Sequence, residues 1–272
     1  MIGTRDKGLG NMKQKIYQVD AFTDNVFSGN PAAVCPLEMW LDDEIMQKIA
    51  AENNLAETTF YVKHNDVFEI RWFTPTTEVD LCGHATLAAA FVLFFHENHS
   101  SDIINFHSHR SGPLSVRKED DFLTLNFPSD IAIAIPISEA IANCFDRKPQ
   151  QVLQGKTDLL LIYENQEDIS QIQPQFNEIA KLQARGVIIS AKGKEVDFVS
   201  RFFAPQCGIN EDPVTGSAHT TLVPYWSSIL NKKALTATQL SDRKGHLRCT
   251  YLNDRVEISG QGKLFMIGEM FF

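Results

Sequence analysis

Apolar residues recur along this chain in two rhythms. Phe68, Ile70 and Trp72 alternate with Glu69 and Arg71, and Leu123, Leu125 and Phe127 alternate with Thr124 and Asn126. A period of two turns one face of a strand to a core and the other to water. Ile16 to Phe22 reads as a strand, followed by a turn at Asn30-Pro31 and a short strand through Val34. From Leu41-Asp42-Asp43 the rhythm becomes helical, with Ile45, Ile49 and Ala50 on one face and acidic residues in the first turn, where the helix dipole favours them. That helix is expected to end near Asn53-Asn54, leaving Leu55-Ala56-Glu57 at the junction with a strand over Thr58 to Val62.

Further on, the pattern predicts helices over Ser138 to Phe145 and around Phe176 to Leu182. Strands are expected over Leu159 to Tyr163, Gly186 to Ala191 and Val196 to Phe203, with a β-meander from Leu247 to Met270. The longest uninterrupted apolar run, Leu87 to Phe95, is nine residues. A membrane-spanning helix needs about 20, so the run reads as a core helix and no membrane partner is expected.

Two stretches repeat one plan. Arg71 to Phe91 (RWFTPTTEVDLCGHATLAAAF) and Arg201 to Trp226 (RFFAPQCGINEDPVTGSAHTTLVPYW) each open Arg-aromatic-Phe-x-Pro. Each then crosses an acidic loop, reaches Gly-x-Ala and enters an apolar helix. Gly83-His84-Ala85 is answered by Gly216-Ser217-Ala218, 133 positions later in a chain of 272. The repeat implies an α+β chain of two similar lobes, each a strongly bent sheet around an apolar helix, Ala85 to Phe95 and Ala218 to Leu230. PSDIAIAIP, from Pro128 to Pro136, is the expected boundary, giving lobes over 15–128 and 129–272, with the last strand free to return to the first lobe. Residues 1–14 have no apolar signal-peptide core and are expected to be a disordered leader or an added extension. Paired helix starts facing one cleft would hold a small anion, because their free N–H groups and dipoles favour negative charge.

Composition narrows the function further. Hydrophobic residues at 43% and charged residues at 22% suit a globular chain. A net charge of −9 argues against nucleic acid as a partner, since that binding needs basic surface. The five cysteines, Cys35, Cys82, Cys144, Cys207 and Cys249, are scattered and odd in number. They suggest neither a disulfide framework nor a zinc site, and a cytoplasmic, reducing location is expected. No phosphate-binding loop and no metal-ligand spacing is present, so neither a nucleotide, a flavin nor a metal is expected.

Four segments together, QVDAFTDNVFSGNPAAVC, ENNLAETTFYV, RWFTPTTEVDLCGHAT and INEDPVTGSAH, resemble the phenazine-biosynthesis PhzF-like family over nearly the whole chain from about Lys15. The resemblance implies a diaminopimelate-epimerase-like fold of two pseudo-symmetric lobes, each a bent, mostly antiparallel sheet around a central helix. It implies a homodimer and a cofactor-independent isomerase moving a proton on a small carboxylated metabolite. The family's acid/base glutamate falls on Glu57, its histidine on His84, and its aspartate and serine on Asp212 and Ser217. Gly83, Ala85, Gly216, Ala218 and Asn30 are the expected substrate-binding residues, with Thr86 and His219 as further candidates.

Each residue has an ordinary reading too. Glu57 suits a salt-bridged carboxylate, His84 a capping group, Asp212 before Pro213 a turn, and Ser217 a plain helix residue. Two other functions remain open. One is a non-catalytic binding module on the same fold. The other is a thiol-based epimerase using Cys82, whose place beside a helix start would lower its pKa. That second reading is weakened because the matching loop, Thr215-Gly216-Ser217, has no thiol.

Overall fold

The computed structural model describes residues 13–272. The leader expected over 1–14 lies outside the described residues as far as residue 12, whereas Lys13 and Gln14 belong to the first strand. The first half contains β1 (Lys13–Ala21), β2 (Asn30–Leu37), α1 (Asp43–Asn53), β3 (Glu57–His64), β4 (Val67–Phe73), β5 (Glu78–Val79), α2 (Gly83–Phe95), β6 (Ile103–Ser108), β7 (Gly112–Glu119) and β8 (Phe122–Pro128). The second contains β9 (Ile133–Ile135), α3 (Glu139–Ala142), β10 (Gln151–Gln154), β11 (Asp158–Ile162), α4 (Gln166–Gln171), α5 (Phe176–Ile179), β12 (Gly186–Lys192) and β13 (Phe198–Phe203). A 3-10 turn at Pro205–Cys207, α6 (Gly216–Leu230), β14 (Ala234–Gln239), β15 (Gly245–Tyr251), β16 (Arg255–Gly260) and β17 (Gly262–Phe271) complete it.

Strand pairing runs β17-β1-β2-β3-β4-β6-β7-β8-β16-β15-β14-β13-β12-β11-β10-β9, with β5 beside β4. Read from either end the orientations are the same: antiparallel twice, parallel, antiparallel, parallel, then antiparallel to the central β8–β16 pair. β2–β3, β4–β6, β11–β12 and β13–β14 are the parallel pairs. Parallel neighbours need a crossover. α2 supplies it between β4 and β6, and α6 between β13 and β14. The boundary expected at Pro128 falls between β8 and β9, and β17 pairs with β1.

Both crossover helices lie inside. α2 is apolar almost all round and packs on β1, β2, β3, β8 and β17, as a helix without a polar face must. Leu87, Val92, Leu93 and Phe94 are among its buried side chains, each stabilising by about 1.5–3 kcal/mol relative to exposure. α6 packs on β11, β14, β15 and β16 and touches α2. Pro224 lies within α6 and has no N–H, which frees the carbonyl of Thr220 four residues earlier. That carbonyl accepts from the Asp130 N–H at 3.0 Å, tying the segment between the two halves to the helix.

Several boundaries differ from the sequence pattern. Asn30 and Pro31 open β2 rather than forming a turn, because Asn30 pairs with Ala21 of β1. Glu57 is the first residue of β3, paired with Ala32 across the parallel ladder. The helices expected over 138–145 and 176–182 shrink to four residues each, and an isolated bridge joins Phe145, after the first, to Pro174, before the second. No helix among the described residues is long and apolar enough to cross a membrane.

Candidate active site

The two Gly-x-Ala helix starts meet. A Cβ built on Gly83 would lie 3.8 Å from the Gly216 Cα and only 3.6 Å from the Phe127 ring. Neither α2 nor α6 has a side-chain cap, so the first-turn N–H groups of both are left without a side-chain partner where the two starts meet.

Parallel pairing of β2 with β3 brings Asn30 and Glu57 to this end of the sheet beside His84, the second residue of α2. Glu57 and His84 are both buried, and His84 Nε2 lies 3.1 Å from Glu57 Oε2. The contact is ionic rather than a well-aligned hydrogen bond, and neither atom has another partner. Asn30 Nδ2 donates to Asp212 Oδ1 at 2.7 Å and to the Val214 carbonyl at 3.0 Å, which uses both its hydrogens. His84 Nδ1, 3.2 Å from that amide nitrogen, is thereby left to Cys82 Sγ at 3.5 Å. Burial disfavours the His84 cation, but Cys82 and the Glu57 carboxylate more than offset this and hold the imidazole well above its ordinary value.

Asp212 is held at both oxygens. Thr215 Oγ1 donates to Oδ2, and Gln239 Nε2 donates to the Asp212 carbonyl at 2.7 Å. Burial raises its pKa, with His84 opposing and Glu57 adding to the rise. Ser217 is half-buried on the other side of the helix starts, where its Oγ accepts from Arg185 Nη2 at 3.0 Å. Ala85 and Ala218 are buried within their helices, so only their backbone can reach a ligand. Thr86 Oγ1 donates to the Cys82 carbonyl at 2.6 Å, and His219 Nδ1 lies 2.9 Å from the Thr215 carbonyl; both serve the helix itself.

Cys82 departs from expectation. Burial foremost, and the Glu57 charge next, push its thiol up rather than down, so the helix start does not prepare a thiolate. The structure also gathers what sequence spacing did not show, donor atoms of Glu57, Cys82 and His84 all within 4.8 Å of one another. Cys82 faces Nδ1 and Glu57 faces Nε2, opposite nitrogens of one ring. An ion bound to either nitrogen would lie across the ring from the third donor, so the trio is a poor metal cage. Pattern reading also missed Arg185, Asp158, Thr215 and Gln239. Arg185 alone carries a legible signal, since Arg185-Gly186 precedes the apolar strand Val187 to Ser190 much as Glu57 precedes Thr58 to Val62.

Two cavities, of about 520 and 340 Å³, lie elsewhere on the first half, around Tyr61 and Lys63 and around Trp40 and Arg71. Neither contains a residue of this constellation, whose facing Glu57 and His84 atoms are closed off from solvent. The candidate site is therefore the buried acid and base at the helix starts rather than either hollow.

Comparison with known proteins gives the family and the fold. A Pseudomonas aeruginosa protein described as an uncharacterized isomerase is 46% identical over 259 residues, covering 95% of this chain and 99% of that one. The crystal structure of a phenazine biosynthesis protein of the PhzF family from Enterococcus faecalis matches with a TM-score of 0.94 and 46% identity, covering 96% of this chain and all of that one, 100%. A hydroxyproline epimerase from Agrobacterium vitis matches at a TM-score of 0.63 and 7% identity over 96% of this chain and 93% of its own, a likeness of fold alone. The class is therefore an isomerase on an α+β, epimerase-like fold. The family description "Phenazine biosynthesis-like protein" (PhzC-PhzF) matches residues 19–268, and the chain belongs to that family.

Proposed function

We propose that this isomerase transfers a proton between carbon atoms of a small carboxylated metabolite, with Glu57 as the acid/base and no cofactor required. One observation carries the reading. A buried carboxylate and a buried imidazole, each with an unpaired atom, face each other 3.1 Å apart where two uncapped helix starts converge. Facing atoms whose one partner is each other can exchange that contact for one with a substrate.

In this mechanism the substrate carboxylate lies on the free N–H groups at Gly83 and Gly216. Glu57 accepts a proton from carbon. His84 donates a hydrogen bond to the substrate oxygen on which negative charge develops. The protonated Glu57 then returns the proton to a second carbon, completing an isomerisation with no net redox change. Asp212 acts by holding Asn30 and Thr215, and so the wall behind His84. Because the reacting atoms are enclosed, substrate enters when the two helix starts part. The raised Cys82 thiol and the absence of a thiol beside Gly216 weigh against the two-thiol alternative.

The test is incubation of mixed small carboxylated metabolites with the protein in deuterated water, read by mass spectrometry. Deuterium should enter one or more of them, and Glu57→Gln should lower that rate by about 10²–10⁴ while leaving the fold intact. Exchange at the wild-type rate in folded Glu57→Gln would remove Glu57 from the mechanism.

A further inference from the structure

The mirrored strand pairing gives the catalytic corner a counterpart. In the first half, β2 opens at Asn30, β3 opens at Glu57, and the second residue of α2 is His84. In the second half, β11 opens at Asp158, Arg185 directly precedes β12, and the second residue of α6 is Ser217. Both strand pairs are parallel, with Ala32 opposite Glu57 in one and Asp158 opposite Gly186 in the other. The contacts repeat as well: Glu57 faces His84 at 3.1 Å, and Arg185 Nη2 donates to Ser217 Oγ at 3.0 Å. Where one half presents a carboxylate, the other presents a guanidinium.

Arg185 is built to keep its position. Its Nε donates to Asp158 Oδ1 at 2.9 Å, Nη2 also bonds Asp158 Oδ2, and the guanidinium lies over the Phe202 ring, 5.4 Å from its centre. Asp158 is almost wholly buried, so it can hold this cation but receive little else. Arg185 itself is 40% exposed and its Nη1 makes no hydrogen bond among the described residues. A donor thus remains free at the solvent side of the α6 start. A guanidinium restrained at one edge and open at another suits a planar oxyanion.

We propose that Asp158, Arg185 and Ser217 form the carboxylate-recognising corner of the site, with Arg185 Nη1 and Ser217 Oγ contacting the same substrate carboxylate that lies on the N–H groups at Gly83 and Gly216, and Asp158 positioning Arg185. The inference rests on the proton-transfer reading above and assigns its substrate end: Glu57 and His84 work on carbon, and Arg185 selects molecules that carry a negative carboxylate. A neutral amide of the same shape loses the charge-assisted bond. Arg185 serves selection rather than proton transfer, since a guanidinium does not release its proton in a protein.

Titrating benzoate and benzamide into the protein by calorimetry separates these roles. The wild type should bind benzoate about 10- to 100-fold more tightly than benzamide, the range expected of one charged hydrogen bond. Arg185→Met leaves Asp158 buried without its partner, so Arg185→Met/Asp158→Asn, which removes both charges, is measured beside it. In either folded variant the preference for benzoate should fall to about threefold or less, and Arg185→Lys should restore part of it. Glu57→Gln should keep the preference, because its charge lies at the other corner. Equal binding of the two probes by the wild type, no measurable benzoate binding, or an undiminished preference in the double variant overturns the assignment. Loss of deuterium exchange in Glu57→Gln with an undiminished preference in the Arg185 variants would leave the proton-transfer mechanism standing and remove only this corner. A preference that follows Arg185 while Glu57→Gln still exchanges would do the reverse.

Discussion

Two buried histidines near the helix starts have opposite chemistry, and their partners decide which is which. His84 faces Glu57 and is raised; His219 is enclosed with only the Thr215 carbonyl at Nδ1, and burial lowers it to about 4. The linkage signs differ accordingly. A raised histidine contributes stability that is present below its unfolded pKa of about 6.5 and is lost as pH rises through the folded value. A depressed one contributes stability present above about 6.5 and lost as pH falls toward 4. Between those limits His219 should cost the fold roughly 3 kcal/mol on acidification. Urea denaturation at pH 7 and pH 4.5 checks this: His219→Leu should show a clearly shallower loss of stability over that interval than the wild type. Identical slopes would mean that His219 is protonated without penalty. Glu57 and His84 were legible as residues because they stand in Leu-Ala-Glu-Thr and Gly-His-Ala. The unpaired contact between them was not, since 27 residues separate them and only the β2–β3 ladder and α2 bring them together.

Among the elements, the turn after β1 shows how closely the site's floor is packed. Phe22 is fully buried with φ of 63°, a left-handed backbone that a phenylalanine adopts only when its surroundings demand it. Its ring lies against Gly216 on one side, where a Cβ would sit 3.9 Å away, and against Gly260 on the other, where a Cβ would come within 2.3 Å of Cδ1. Glycine at 260 is therefore a matter of space, in the strand that also forms the central β8–β16 pair. Gly260→Ala should destabilise by about 1–3 kcal/mol through overpacking, read as a lower urea midpoint with unchanged slope. Gly260→Ala combined with Phe22→Leu should recover part of that loss. A midpoint unmoved in the single variant would show that the ring shifts freely. The alternating strands β4 and β8 and the apolar α2 followed directly from periodicity. β14 did not, because Thr238 and Gln239 are buried by neighbours rather than by their own polarity, and α3 and α5 proved shorter than the helices expected there.

At the scale of the molecule, the paired strands end at β17 and β9. β17 bonds only to β1 among the described strands, and Phe265, Met266, Ile267 and Phe271 stand exposed on it. Phe27 adds its ring to Phe265, with centres 5.7 Å apart. An open apolar edge of ten residues invites pairing with another strand. Laid antiparallel about Met266, two copies would set Phe265 against Ile267 and Lys263 against Glu269 of the partner subunit, an attractive register. Light scattering is expected to give twice the 30.6 kDa chain mass. Ile267→Lys should move the distribution to the monomer, because two like charges would then meet near the axis. A wild type that stays monomeric at micromolar concentration removes β17 as the dimer edge.

The amino-acid order by itself determined the strand and helix rhythm, the duplicated Gly-x-Ala plan and the family, because each is written in neighbouring residues or in motifs that survive as strings. Tertiary structure alone decided that the two helix starts touch, that Glu57 and His84 face each other as a buried ion pair, and that Cys82 is raised rather than activated. It also decided that Arg185, just before β12, bonds to Ser217 at the start of α6 much as Glu57 at the start of β3 meets His84 in α2. These are properties of distance and of solvent exclusion between segments far apart in the chain. Parallel pairing across a crossover helix sets them, and no local pattern of polarity contains them.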